Sequence, residues 1–160
     1  VHNNVFLAQG VDLAKEPKAK ELDLKEMVQY FPFCDDFGPV RLCEIVRFYY
    51  ILNQTVEDYP DKKIVISVEE DNKRELTNAI FVLGCFLMIR EEKTTEQIVE
   101  IFNWVDKSVA VPFRDASFTK VDFGLSLANC WHGFERGMRL GWIKKPKPSN
   151  QDMWGKYSIE

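Results

Sequence analysis

Apolar residues along the chain fall into runs and stripes that assign most elements before any chemistry is considered. Val5 to Ala8 is a short apolar run ended by Gly10 and reads as a first strand. Residues 11–25 are polar and lysine-rich around Pro17 and read as a loop. Met27 to Phe33 is rich in aromatic and β-favouring residues, and Pro32 confines it to a sheet edge or a strand end. Gly38 and Pro39 open a helix, because proline at the first helical position gives up an N–H that has no partner there. Leu42, Ile45, Val46 and Tyr49 recur at i, i+3, i+4 and i+7 as its buried stripe, leaving Arg41, Glu44 and Arg47 for solvent.

Tyr59-Pro60-Asp61 is a turn, and Ile64 to Val68 is a nearly continuous apolar run, as in a strand covered on both faces. A charged loop, Glu69 to Arg74, leads into Glu75 to Arg90, which is apolar almost all round and so predicts a helix in the middle of the domain. Thr94 and Gln97 have capping-box spacing, followed by the helical stripe Ile98, Ile101, Phe102 and Val105. Val109 to Phe118 reads as a loop around Pro112. Phe123, Leu127, Cys130, Trp131, Phe134 and Met138 form a last helical stripe ended by Gly141. Lys144 to Asn150, with two prolines, reads as a linker. Strands followed by helices, with one strand buried on both faces, predict an α/β fold around a mainly parallel central sheet flanked by helices.

Composition narrows the class. The 160 residues suit one domain, and 46% hydrophobic with 13% aromatic residues is ample for a core. A net charge of −4 argues against a dedicated nucleic-acid binder, which carries a basic face. The longest apolar run, Ala79 to Ile89, is too short to span a bilayer, so no membrane partner is expected. Cys34, Cys43, Cys85 and Cys130 are widely spaced with no C-x-x-C pair, the pattern of reduced thiols in a cytoplasmic or nuclear compartment. His2 and His132 are too few and too scattered to build a zinc site with them, so neither metal nor cofactor is expected. Val1 in place of a methionine suggests a fragment, a processed form or the ordered part of a longer protein.

Two motifs bear on chemistry. A buried strand, a loop and a buried helix form the place where many α/β enzymes hold phosphate on backbone N–H groups. Here that loop is Glu69-Glu70-Asp71-Asn72-Lys73-Arg74, without glycine and with three acids at its start. Like charges ~4 Å apart cost on the order of several kcal/mol at an effective dielectric near 20, so the loop is wrongly charged for an anion. Cys130 to Arg136 matches the C-x5-R string of cysteine-dependent phosphatases. That motif needs a loop between strand and helix, whereas Cys130 sits within a helical stripe whose N–H groups are already used. It reads as a core cysteine. His132 lacks a partner placed by spacing and reads as a helix-surface residue. Lys144, Lys145 and Lys147 fit either a localisation patch or a solvated linker. Asp35-Asp36 and Asp115 stand in two loops without a nucleophile and suit the binding of a basic peptide better than proton chemistry.

Four strings occur in order: Asp36-Phe37-Gly38-Pro39, Lys62-Lys63-Ile64-Val65, Asn78-Ala79-x-Phe81-x-x-Gly84-Cys85 and Pro112-Phe113-Arg114-Asp115-Ala116. Together they resemble the N-terminal domain of the cell-division-cycle-fourteen (mitotic-exit) dual-specificity phosphatases. The resemblance runs from about Val5 to Trp142 and is densest from Asp36 to Phe118. It implies a dual-specificity-phosphatase-like fold over residues 1–143, with 144–160 as linker or tail. In that family two such domains stand in tandem, and the C-terminal one holds the active Cys and Arg. The N-terminal domain has lost them, which places Glu69 to Arg74 where the partner domain has its phosphate loop.

The resemblance also implies a substrate, phosphoserine-proline sites followed by a basic residue, which an acidic groove receives. Asp36 and Asp115 match two groove acids. The linker departs from the pattern, with Gly155 and Ser158 where the family has acids. Two readings stand on this. One is a catalytically inert specificity or scaffold half of a protein phosphatase, binding a basic phosphopeptide beside a C-terminal catalytic domain. The other is a stand-alone pseudophosphatase serving as an interaction protein in a cytoskeletal or ciliary assembly.

Overall fold

A computed structural model describes residues 4–11, 16–121 and 123–145. Past Lys145 the expected linker lies outside the described residues, and so do His2, Lys147, Gly155 and Ser158. Three parallel strands make the sheet: β1 (Val5–Gln9), β2 (Ala19–Asp23) and β3 (Lys63–Val68), in the order β1-β3-β2. In register, Leu7 faces Ile66 on one side of β3 and Leu22 faces Ile66 on the other. The apolar run of β3 therefore fills the central position, with Ile64 and Ile66 fully buried and Val65 nearly so.

Among the described residues five helices accompany it: α1 (Leu24–Met27), α2 (Leu42–Asp58), α3 (Lys73–Glu91), α4 (Thr95–Ile101) and α5 (Leu127–Arg139). Every residue of α3 from Leu76 to Ile89 is buried, which matches its lack of a polar face. Helix α5 crosses α3 where Gly84 leaves room for the Trp131 ring, whose Nε1–H donates to the Phe81 carbonyl at 3.1 Å. The expected capping box forms at Thr94 with Gln97, and a second, not expected, forms at Ser126 with Asn129.

The structure corrects the sequence pattern at five places. Residues 11–25 are not all loop: they hold β2 and the start of α1, whose N-cap is the Asp23 carboxylate accepting from Lys25 N–H. Met27 to Phe33 is not a strand, because Met27 closes α1 and the chain then runs irregularly, burying Val28 and exposing Phe31 and Phe33. The helix expected at Pro39 begins only at Leu42, since the segment before it is held to Arg114 by a backbone bridge at Phe37. Glu44 is buried, not solvated, and its carboxylate accepts from Gln29 N–H and Arg41. The loop after α4 contains β4 (Phe113–Arg114), paired antiparallel with β5 (Gly124–Leu125), so Phe123 precedes α5 and is exposed.

Candidate functional site

The strand-to-helix loop shows how this chain handles an anion position. Strand β3 ends at Val68 and α3 starts at Lys73, with Asn72 as N-cap accepting from Glu75 N–H at 3.0 Å. The Glu69 N–H, which would face an anion, instead donates to the Glu75 carboxylate at 3.3 Å. The Asn72 and Lys73 N–H groups donate to the carbonyls of Glu69 and Asp71. Asp71 turns the chain with φ 61, a left-handed conformation that costs a non-glycine residue strain. The Glu69 carboxylate takes Lys25 at 2.9 Å and the Asn72 amide at 3.1 Å, and these bonds hold it below the usual carboxylate range. Burial pushes the Glu75 carboxyl up. Glu70 stays exposed, and Arg74 turns away from the loop to Asp35. The Glu69, Asn72 and Lys73 N–H groups are thus spent on the chain's own oxygens, one of them on a carboxylate.

Neither Cys130 nor Cys85 has the character of a nucleophile. Cys130 is in the first turn of α5, its N–H donates to the Ser126 carbonyl, and burial pushes its thiol up to about 11. At neutral pH such a thiol is ionised about once in ten thousand. Cys85 is fully buried and raised well above its ordinary value, chiefly by burial.

The two acids singled out by the sequence lie on either side of the Phe37–Arg114 bridge. Phe37 N–H donates to the Arg114 carbonyl at 3.2 Å and Arg114 N–H to the Phe37 carbonyl at 2.7 Å. An antiparallel bridge at this pair sets residues 36 and 115 at facing backbone positions. Their side chains are used differently. The Asp36 carboxylate folds back, accepting from Tyr30 Oη–H at 2.5 Å, Phe33 N–H at 2.6 Å and Cys34 N–H at 2.7 Å. The Tyr30 bond first and the backbone bonds next hold its pKa down at about 2. Tyr30 itself rises to about 12, by burial first and by Asp36 second. Asp115 is exposed. Asp35, weighed only as a neighbour of Asp36, makes the longer-range contacts, with Arg74 and Arg114 at 2.8 Å each. Behind these acids a cleft of about 450 Å³ opens between Val28, Tyr30, Phe31 and Phe37 and the first turns of α3 at Arg74 and Asn78.

The lowered Asp36 pKa fixes a pH dependence. A depressed carboxylate contributes stability above its unfolded pKa and loses it as pH falls through the folded one. The stability difference between wild type and Asp36→Asn should therefore shrink as pH falls from about 4 towards about 2. Urea midpoints of both proteins across that window check this. A difference that stays constant would contradict it.

Comparison with known proteins agrees with this geometry. Residues 4–137 match the family described as dual specificity protein phosphatase, N-terminal half. The chain belongs to that family. It is 30% identical over 118 residues to the dual specificity protein phosphatase CDC14C of Symphalangus syndactylus, covering 72% of this chain and 24% of that protein. Human CDC14A is 28% identical over 121 residues, 75% of this chain and 20% of the relative. The tyrosine-protein phosphatase CDC14 of Saccharomyces cerevisiae is 26% identical over 121 residues, with 75% and 22% covered. The chain thus spans about a quarter of the length of the curated relatives it matches. The parallel sheet flanked by helices is the fold of such an N-terminal half. No helix among the described residues is long and apolar enough to cross a membrane.

Proposed function

We propose that the chain is the catalytically inert half of a protein phosphatase that acts on phosphoserine-proline sites, serving as a specificity element or scaffold for a C-terminal catalytic part. The observation that carries the inertness is the loop from Glu69 to Arg74, whose Glu69 N–H is taken by the Glu75 carboxylate. Cys130, the cysteine of the C-x5-R string, is in the first turn of α5 with a raised pKa and so does not serve as a nucleophile. Asp36 and Asp115 supply the specificity, as the retained half of an acidic recess that favours a Lys or Arg side chain of the substrate or partner. Their facing positions across the Phe37–Arg114 bridge support this role. A cytoplasmic or nuclear setting fits four unpaired cysteines.

A second reading, a stand-alone pseudophosphatase in a cytoskeletal or ciliary assembly, is favoured by one observation. The Asp36 carboxylate already accepts three hydrogen bonds within its own segment and has little left to offer a ligand.

The recess is tested with a peptide carrying phosphoserine-proline followed by lysine. Asp115→Lys should weaken its binding about fivefold while leaving the circular dichroism spectrum unchanged, because an exposed rim charge acts on association and not on folding. Equal affinity of wild type and variant would remove Asp115 from the recess and leave the second reading.

A further inference from the structure

The two arginines beside the loop have an arrangement that the inert cradle does not explain. Arg74, in the first turn of α3, and Arg114, in β4, approach one carboxylate from two elements. Asp35 Oδ1 accepts from Arg74 Nη2 and Oδ2 from Arg114 Nη1, both at 2.8 Å. Both guanidiniums are held in place independently of Asp35. Arg74 stacks over the Phe37 ring at 5.6 Å, and Arg114 Nη2 donates to the Ser117 carbonyl at 3.2 Å. Arg114 Nε is buried without a hydrogen-bond partner, so its donor fork is only partly used. The carboxylate is the loose member, with 69% of the Asp35 side chain exposed against 18% for Arg114.

We propose that Arg74 and Arg114 form an oxyanion clamp plugged by Asp35, and that a phosphoryl group takes the place of the plug. Two guanidiniums fixed on separate elements suit a tetrahedral oxyanion, which offers more acceptor oxygens than a carboxylate. A phosphate monoester also carries about −1.5 to −2 charges near pH 7, against −1 for Asp35. Exposed ion pairs hold little free energy, so the plug is displaceable. Asp36 stands close enough to act on Asp35 and opposes an anion, which keeps binding weak and makes it depend on the phosphoryl group landing between the two arginines. The clamp binds without chemistry, as no bond to phosphorus is made or broken there. It stands or falls independently of the inertness of the strand-to-helix loop.

The test is an NMR titration of the whole chain at constant ionic strength, with inorganic phosphate in one arm and a phosphoserine peptide with its unphosphorylated form in the other. Wild type should show saturable shifts centred on Asp35, Arg74 and Arg114. Asp35→Asn should bind phosphate about tenfold more tightly, because the competing charge is gone and the clamp is intact. Asp61→Asn removes an equal exposed charge before the start of β3, away from the clamp, and should change affinity less than about twofold. Adding Arg74→Ala to Asp35→Asn should abolish the gain. The phosphopeptide binding more tightly than inorganic phosphate assigns the clamp to a phosphorylated partner segment, and equal affinities assign it to free phosphate. Equal gains in Asp35→Asn and Asp61→Asn, or indifference to Arg74→Ala, would overturn the clamp and leave only a general effect of charge.

Discussion

Replacing Phe37 by alanine should cost about 4 kcal/mol of stability, in the range for removing a fully buried aromatic side chain. Phe37 is 2% exposed and is the hub of an aromatic cluster. Its ring meets Phe113 at 4.9 Å and Tyr30 edge-on at 5.9 Å, and Phe113 passes the contact to Phe81 of α3 at 6.0 Å. These contacts join the irregular segment after α1, the short β4 strand and the central helix. Burial of the ring contributes most of the loss, and the cavity left behind adds to it. The Arg74 guanidinium over the same ring loses its seat as well. Thermal unfolding should show the melting temperature falling by about 10 °C for a chain of this size. A loss below about 1 kcal/mol would mean that the cluster collapses onto the gap and that Phe37 does not organise the site.

The second large effect is expected at the crossing of α3 and α5. A Cβ on Gly84 would lie within 2.8 Å of the Nε1, Cε2 and Cζ2 atoms of Trp131. Trp131 cannot easily withdraw, because it is 2% exposed, donates to the Phe81 carbonyl and stacks on Phe102 at 5.5 Å. Gly84→Ala should therefore cost about 3 kcal/mol despite the better helix propensity of alanine, since overpacking outweighs the roughly 1 kcal/mol gained from replacing a helical glycine. The urea midpoint should drop by about 1.5 M. A double-mutant cycle locates the cause. Trp131→Phe shortens the ring at the clash, so the double variant should be more stable than the sum of the single effects requires. Strict additivity would place the cost of Gly84→Ala elsewhere.

Legibility in the sequence followed the length and periodicity of each element. Strand β3 and helix α3 stand out because both are apolar on all faces, which only a central position explains. Helix α4 carries a capping box as a local signal, and α5 showed through its apolar stripe. Strand β2 was hidden because Leu22 is its only large apolar residue, and the backbone bonds to β3 form it. Glu44 looked solvent-facing on its helix because nothing local shows that residues 28–30 pack across it. At the site, the wrong charge of Glu69 to Arg74 was readable, whereas the turning of Glu75 back onto Glu69 N–H was not. The role of Asp35 was invisible in principle, because its partners lie 39 and 79 residues away and only the folded chain brings them together.

Hydrolysis of 4-nitrophenyl phosphate by the purified chain tests the inert cradle most directly. With the Glu69, Asn72 and Lys73 N–H groups spent on the Glu75 carboxylate and backbone carbonyls and with the Cys130 thiol pushed up to about 11, no phosphocysteine is expected at Cys130. The expected result is release of 4-nitrophenol at the buffer rate from pH 5 to pH 8, for wild type and for Cys130→Ser alike. Turnover above that rate in wild type that disappears in Cys130→Ser would contradict the inert reading and make the chain an enzyme.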